Sequence, residues 1–180
     1  MNLMTYFFSI LFYIRIKLRP NSSIDGIPRV RGWVRLYGSG KIIIGKNLKL
    51  NSGIKYNPIG GDAHLFLIAN ERATLKIGNN VGISNSTIFC NNSIEIRNNV
   101  MIGGSVKIYD TNFHSLDANY RSNRKKDKIN TREKEVIIDE GAFIGAHSII
   151  LKGSYVSKNE IIGAGSIIRE CKKAYDHTSD

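Results

Sequence analysis

The chain has few of the residues that staple or break small folds, and few acidic residues. Its 180 residues include only two cysteines, Cys90 and Cys171, and three prolines. Two cysteines cannot make the framework of a disulfide scaffold, and they fit a reduced, cytoplasmic setting. The 15 Asp and Glu stand against 26 Lys and Arg, which gives a net charge of +11. This basic balance favours anionic partners such as nucleic acid, anionic lipid or a phosphorylated small molecule.

A membrane-spanning run is also missing. The most apolar stretch is "LMTYFFSILFYI", Leu3 to Ile14, and "RIKLR" follows it at once. A spanning helix needs about 20 apolar residues, and a signal peptide carries its positive charge before the apolar run. We therefore expect residues 1–20 to form a short helix with one of three roles. It lies on the inner face of a membrane through residues 3–18, packs against a partner subunit, or covers the open end of the domain.

The sequence does contain a six-residue repeat of β-branched aliphatic residues. From Val136 it reads "VIIDEGAFIGAHSIILKGSYVSKNEIIGAGSIIREC", and every sixth residue is Ile or Val: Ile138, Ile144, Ile150, Val156, Ile162 and Ile168. Four residues after each of the first five stand Ala142, Ser148, Ser154, Glu160 and Ser166, most of them small. Neither a helix nor a simple strand has this period, which is typical of a coil of short parallel strands. The aliphatic side chains should point inward, and the small residues should lie at the corners.

The same repeat continues upstream in two offset stripes, as two inward positions per unit would produce. One stripe is Cys90, Ile96, Ile102 and Ile108; the second is Ile88, Ile94, Val100 and Val106; an earlier one is Val30, Leu36, Ile42, Leu48 and Ile54. Cys90 is therefore expected to be a buried apolar residue. The segment "YNPIGGDAH", Tyr56 to His64, has the composition of a turn or loop insertion. We expect one coiled domain over residues 21–171 and a polar tail over 172–180.

One long loop, residues 109–135, interrupts the repeat. Ile108 and Ile138 are separated by five complete units, so the coil resumes in phase after the loop. The loop opens with "YDTNFHSLD", which sets His114 between Asp110 and Asp117. Residues 121–134 then hold seven Lys or Arg. A long loop leaving a rigid repeat is usually either functional or disordered.

The stretches "IGGSVKIYDTNFHSLD" and "VIIDEGAFIGAHSIILKGSYVSKNEIIGAGSII" resemble the hexapeptide-repeat acetyltransferases. The branch they look most like is that of the galactoside, maltose, capsule and exopolysaccharide O-acetyltransferases, and the likeness is clear over about residues 75–168. It implies an all-β, left-handed parallel β-helix, a homotrimer, and active sites between neighbouring subunits. Parallel crossovers are otherwise almost always right-handed, so the handedness comes from the resemblance alone.

The resemblance also implies an activity. It is the transfer of an acetyl group from acetyl-CoA to a hydroxyl of a sugar, nucleotide-sugar or lipid-linked saccharide. The product would serve in the synthesis of a capsule, O-antigen or exopolysaccharide. Two alternatives stay open: N-acetylation of an amino sugar by the same fold, and a β-helix scaffold or binding protein without catalysis.

The resemblance assigns roles to individual residues. His114 matches the catalytic base, since imidazole takes protons near neutral pH, and the Ala146 amide matches the donor to the oxyanion. Candidate contacts to the acceptor sugar are Asn85, Asp110 and Asp117; the two acids could instead orient His114, and all three could be plain turn residues. Candidate contacts to coenzyme A are Phe143, where the family commonly has Trp, and Gly145, Ala146, Gly163, Ala164, Arg169 and Lys172.

Two other functions are not expected. Zinc-dependent carbonic anhydrases use the same coil with three His ligands, but His64, His114, His147 and His177 do not make a convincing ligand set, so no metal is expected. Nucleic-acid binding through residues 121–134 is not expected either. That run lacks interleaved aromatic residues apart from Tyr120.

Overall fold

The computed structural model describes residues 2–59 and 64–170. Helix α1 (Leu3–Lys17) comes first, and two short helices, α2 (Ala118–Arg121) and α3 (Arg124–Asn130), lie in the long loop. All other regular structure is in short strands. These are β1 (Ser23–Ile24), β2 (Arg29–Arg31), β3 (Arg35–Tyr37), β4 (Lys41–Ile44), β5 (Lys49–Asn51), β6 (Phe66–Ala69), β7 (Thr74–Ile77), β8 (Gly82–Ser84), β9 (Thr87–Cys90), β10 (Ser93–Ile96), β11 (Met101–Ile102), β12 (Lys107–Tyr109), β13 (Val136–Ile138), β14 (Phe143–Ile144), β15 (Ile149–Ile150), β16 (Tyr155–Val156), β17 (Ile161–Ile162) and β18 (Ile167–Ile168).

The strands form three parallel sheets, and the chain visits the sheets in rotation. Sheet A contains β1, β4, β7, β10, β13 and β16; sheet B contains β2, β5, β8, β11, β14 and β17; sheet C contains β3, β6, β9, β12, β15 and β18. Each strand thus pairs with the strand one full turn of the chain later. The fold is a left-handed parallel β-helix with a short N-terminal helix, which confirms the predicted fold class.

The core is a set of columns of aliphatic side chains along the coil axis. The register stacks like on like: Ile108 lies between Ile88 and Ile150 in sheet C. Both complete stripes predicted from Ile88 to Ile108 are buried, and so is Cys90. Each buried aliphatic side chain contributes about 1.5–3 kcal/mol. The predicted inward position of Ile54 is wrong, because the chain leaves the coil after β5 and Ile54 is 67% exposed in the resulting loop.

Helix α1 covers the N-terminal end of the coil, one of the three roles expected for it. Its buried face packs on the core through Phe12 and Ile16. The Ser9 hydroxyl donates to the Thr5 carbonyl at 2.7 Å and accepts from the Val30 amide at 3.0 Å. The helix therefore satisfies a strand donor that no preceding coil is there to bond. None of the described helices, including the 15-residue α1, is long and apolar enough to cross a bilayer.

The long loop is an ordered structure with a closed neck. It leaves sheet C after β12 and returns to sheet A at β13. Thr111 pairs with Glu133 in antiparallel fashion, and the Lys134 amide donates to the Asp110 carbonyl at 2.9 Å. This pairing joins the two ends of the loop and closes its neck.

Asparagines in the left-handed backbone conformation build the corner between sheets A and B. Asn47, Asn80 and Asn99 have φ values of 58°, 58° and 62°. The Asn47 amide donates to the Asn80 side-chain oxygen at 3.0 Å, and the Asn80 amide donates to that of Asn99 at 3.0 Å. Asparagine tolerates this conformation better than other residues with a Cβ. The corner is thus stabilised both locally and between coils.

We expect Asn80→Ala to lower the free energy of unfolding by about 1–3 kcal/mol, because alanine is strained at this φ and breaks the ladder. Asn80→Gly removes the same hydrogen bonds without the strain, so it should cost less. Urea denaturation of both variants measures the difference. Asn92→Ala is the control, since the structure records no hydrogen bond from the Asn92 side chain. Equal losses for the alanine and glycine variants would contradict the strain argument.

Candidate functional site

His114 lies on the loop and is held by a carboxylate. Its Nδ1 lies 2.7 Å from Oδ2 of Asp127, a residue of α3, and its side chain is 68% exposed. The other oxygen of Asp127 accepts from the Ser115 amide at 2.6 Å. An ionised carboxylate can only accept hydrogen bonds, so Nδ1 carries the hydrogen and Nε2 presents a lone pair to solvent.

Asp127 remains ionised because of these same contacts. The hydrogen bond from His114, followed by that from the Ser115 amide, holds the pKa of Asp127 below its ordinary value. The carboxylate is therefore negative throughout the neutral range and favours one ring orientation and tautomer. Asp127 is not among the candidate residues that the sequence indicated. The signal that could have found it is the helix start "NRKKD", with Asn123 as N-cap and an acid in the first turn.

An aromatic cluster fixes the backbone beside His114. The Phe113 ring packs edge-on against Phe89 at 4.8 Å and Tyr109 at 5.1 Å between ring centroids. Both partners belong to sheet C. Phe113 has a φ of 63°, a conformation that a bulky residue adopts only when its surroundings impose it. The neighbouring imidazole is thus positioned by the rigid coil as well as by α3.

The two acids that flank His114 in sequence, Asp110 and Asp117, accept hydrogen bonds from backbone amides. Asp110 is fully buried, and its carboxylate accepts from the amides of Asn92 at 2.7 Å and Asn91 at 2.8 Å. Burial raises the pKa of Asp110, although these hydrogen bonds act in the opposite direction. Asp117 is the N-cap of α2 and accepts from the Asn119 amide at 2.8 Å. The carboxylate that contacts His114 is therefore Asp127 rather than Asp110 or Asp117, and a sugar contact by these two acids stays a prediction.

Cys90 lies beside Asp110, with its Sγ 3.5 Å from Oδ2. Burial, and then the neighbouring carboxylate, raises the pKa of the Cys90 thiol. The thiol is therefore neutral in the physiological range and enclosed in the core. It is a packing residue, as its place on the stripe predicts.

A second group of candidate residues lies at the corner between sheets B and C. The peptides of successive coils stack here: the His147 amide donates to the Gly104 carbonyl, and the Gly165 amide donates to that of Ala146, both at 2.9 Å. A Cβ on Gly103 would lie 2.8 Å from the Ala146 nitrogen, and one on Gly145 would lie 2.5 Å from the Ala164 nitrogen. The glycines therefore leave both amide groups uncovered. Among the described residues, the Ala146 amide donates to no acceptor.

Asn85 lies at this same corner and is fully buried. Its side-chain oxygen accepts from the Gly53 amide at 2.6 Å, and its side-chain nitrogen donates to the Asn57 carbonyl at 2.8 Å. These two hydrogen bonds hold the loop that follows β5 against the B–C corner. A sugar contact by Asn85 would require these bonds to open, and that role stays a prediction.

The remaining candidates flank the corner to different extents. Phe143 in β14 is 41% exposed and lines a shallow groove on sheet B with Met101, Gly82 and Gly103. Gly163 and Ala164 lie in the last coil and are exposed. Arg169 is exposed too, but it follows β18 and so lies at the opposite edge of sheet C. Lys172 lies outside the described residues.

The candidate residues thus fall into two groups at opposite edges of sheet C. Because all its strands are parallel, their carboxyl ends share one edge and their amino ends share the other. The loop with His114 follows the carboxyl end of β12, whereas Ala146 precedes the amino end of β15. One chain therefore keeps the imidazole and the uncovered amide apart.

Within residues 2–59 and 64–170, no group of three or more His, Cys, Asp and Glu side chains is arranged to hold a metal ion. His147 is exposed at the B–C corner with a φ of 62°. His177 lies outside the described residues.

Comparison with known proteins agrees with the architecture. No protein-family profile matches the chain. It is 34% identical over 84 residues to the galactoside O-acetyltransferase of Lactococcus lactis subsp. lactis; this match spans 47% of the chain and 38% of that enzyme. The solved structure of AntD, an N-acyltransferase from Bacillus cereus in complex with dTDP and coenzyme A, superposes with a TM-score of 0.59 at 17% identity. That superposition covers 85% of this chain and 76% of AntD.

The two comparisons differ in what they establish. The likeness to AntD shows the fold. The relative from Lactococcus supports an acetyltransferase family for this chain, which spans well under half of that enzyme's length.

The close approach of Gly145 to the next coil can be tested by substitution. Gly145→Ala should lower the free energy of unfolding by about 1–3 kcal/mol, because the added methyl meets the backbone of the next coil. Gly163→Ala is a matched control in the last coil, where the nearest atom is the Ser166 hydroxyl at 3.8 Å. Thermal and urea denaturation measure both variants. A neutral Gly145→Ala would show that the coils are less closely stacked than described.

Proposed function

We propose that this protein transfers an acetyl group from acetyl-CoA to a sugar hydroxyl, with His114 as the general base. The observation that carries the proposal is an exposed imidazole whose Nδ1 is held by the Asp127 carboxylate, which leaves Nε2 available to a substrate. A sugar hydroxyl becomes an effective nucleophile only when a base removes its proton, and this ring is suited to do so. The name of the Lactococcus relative, galactoside O-acetyltransferase, supports the same chemistry.

The proposed reaction is a direct transfer. Nε2 of His114 takes the hydroxyl proton as the oxygen attacks the thioester carbonyl. The tetrahedral intermediate then collapses: the carbon–sulfur bond breaks, an ester is left on the sugar, and the imidazolium returns its proton to the departing thiolate. The uncovered Ala146 amide is the proposed donor to the oxyanion. No covalent acyl-enzyme is needed, which agrees with the buried, neutral thiol of Cys90.

The B–C corner is the proposed site for the acyl donor. Coenzyme A has a long arm with amide groups, which can hydrogen-bond to exposed backbone. Gly163 and Ala164 are small and exposed, so they leave room for that approach, and Gly145 lets their coil pack closely on the one before it. Phe143 is the proposed border of this site. The AntD structure contains coenzyme A, which supports this class of donor for the fold. Arg169 and Lys172 are the proposed partners of the phosphates.

We propose that a homotrimer completes the site. The imidazole and the Ala146 amide lie at opposite edges of sheet C, so a second copy must bring its B–C corner to the loop of the first. A threefold ring of heterologous contacts does this three times over and closes on itself. His114, with Asp117 nearby, would come from one copy, and Ala146 with Asn85 from its neighbour.

The proposed acceptor is a sugar, nucleotide-sugar or lipid-linked saccharide used to build a capsule, O-antigen or exopolysaccharide. Polar side chains near His114, such as Asp117, could hydrogen-bond the hydroxyl groups of a sugar. An amino-sugar acceptor is the alternative within the same chemistry, and AntD is itself an N-acyltransferase. A screen of free, nucleotide-linked and amino sugars for thiol release from acetyl-CoA would separate these acceptors.

Removing the base tests the activity. His114→Ala should lower kcat by about a hundredfold or more. Asp127→Asn should lower kcat by at least about tenfold, because the ring loses the carboxylate that orients it. Thiol release from acetyl-CoA, measured between pH 5 and 9, gives both values.

Asp25→Asn is the control for this experiment, since Asp25 is an exposed acid outside the loop, and its ion pair in the described part of the chain is with Lys46. Acetyl-CoA should also raise the melting temperature of the wild-type protein. A His114→Ala enzyme with undiminished turnover would refute the role of His114 as base. A wild-type protein that shows no turnover, and whose melting temperature acetyl-CoA does not change, would refute the proposed function and favour a scaffold.

Mixed assembly tests whether the site is shared. His114→Ala and Ala164→Trp should each be inactive alone, the second because an exposed bulky ring blocks the corner. Co-refolded at equal amounts, they should regain about a quarter of wild-type turnover if each site takes one residue from each copy. A site contained in one chain predicts no recovery.

A further inference from the structure

Helix α1 turns two hydroxyl side chains toward the coil and an apolar side toward solvent, whereas a simple cap would do the reverse. Its buried face includes two polar residues, Thr5 and Ser9, alongside Phe12 and Ile16. Leu3, Phe7, Ile10 and Ile14 repeat the same four–three–four spacing on the opposite side of the helix, so they point away from the coil. A helix that only covered the coil would bury this apolar side and expose the hydroxyls.

The outward side forms one continuous apolar surface. It comprises Leu3, Met4, Tyr6, Phe7, Ile10, Leu11 and Ile14, which together line one groove. Leu3 is 83% exposed and Phe7 is 54% exposed. The hydrogen bond from the Val30 amide to the Ser9 hydroxyl fixes the rotation of the helix on the coil, so this exposure is built into the fold. An apolar surface of this size marks contact with a partner.

The charge around the helix indicates which partner. Residues 1–59 contain ten Lys and Arg and one acid, Asp25, whereas the whole chain contains 26 and 15. Nine of the eleven net positive charges therefore belong to α1 and the two coils beneath it. Lys17, Arg29 and Lys41 are among those exposed. A second copy docked face to face would bring two such cationic ends together, which like-charge repulsion opposes.

We propose that this end of the protein docks on an anionic phospholipid bilayer, with α1 lying in the plane of the surface. The apolar side enters the headgroup–acyl boundary, and the surrounding Lys and Arg contact lipid phosphates. The helix is too short to span, which agrees with this orientation. In the proposed trimer the three coils run side by side, so three such helices would face the same membrane. Docking would hold the active site near a lipid-linked acceptor. The trimer and this acceptor rest on the proposed function, whereas the docking of α1 does not.

Vesicle flotation of the full chain tests the proposal. Wild-type protein should float with phosphatidylcholine vesicles that contain phosphatidylglycerol, at least about tenfold more than with phosphatidylcholine alone. Raising the salt from about 0.1 M to about 0.5 M should weaken this binding. Phe7→Glu should reduce vesicle binding by about tenfold or more, because a charge replaces a ring that the bilayer would bury.

Ile161→Glu is the matched control, because Ile161 is 72% exposed on β17 at the other end of the coil. It should float like wild type. The proposal would be overturned if wild type floated with neither kind of vesicle. It would also be overturned if Phe7→Glu and Ile161→Glu lost vesicle binding equally. A concentration-dependent doubling of the assembly that Phe7→Glu abolishes would overturn it too, in favour of self-association. Turnover on a free sugar reports the proposed activity independently, and its retention in Phe7→Glu shows that the variant is folded.

Discussion

The structure depends on the in-register stacking of inward aliphatic side chains from one coil to the next. Ile88, Ile108 and Ile150 occupy one such column, and their backbones pair in the same register. A shift of one residue would expose every side chain in the column, so the register is strongly fixed. The corners are consequently fixed in space as well. A glycine in one coil then lies against the same peptide group of the next, which leaves the Ala146 amide both rigid and uncovered.

The repeating part of the structure could be predicted from the sequence because a single physical rule produces it. Both stripes from Ile88 to Ile108 are buried as expected, and the loop returns to the coil in phase at Val136. Ile54 fails because the repeat alone does not say where the chain leaves the coil. Asp110 is also instructive: its neighbour Tyr109 pairs with Phe89, so Asp110 continues the column that contains Cys90. An acid at an inward position indicates a buried carboxylate that caps a turn, rather than a ligand contact.

The site was harder to predict because it depends on contacts between distant segments. The pairing of His114 with Asp127 needs the neck of the loop, the aromatic cluster around Phe113 and the start of α3 to form together. No periodicity records such contacts. The chain also places imidazole and corner at opposite edges of sheet C, a separation that follows from strand direction and not from sequence distance. His114 and Ala146 are only 32 residues apart, yet one follows the carboxyl end of a strand of sheet C and the other precedes the amino end of the next strand in that sheet.

The two departures from the repeat have different physical causes. The loop leaves the coil between β12 and β13, where both strands are already paired with neighbouring coils. Its own neck, helix caps and ring contacts stabilise it, so its polar residues are free to form a site. Helix α1 departs at an end, where the coil must be covered, and a helix with a single apolar side would be enough. Instead the hydroxyl of Ser9 satisfies the Val30 amide, and that contact leaves the apolar residues on the outer side. Because exposing Leu3 and Phe7 to water opposes folding to this form, a surface that removes them from water would stabilise it. The cations concentrated in the same coils select an anionic surface for that role.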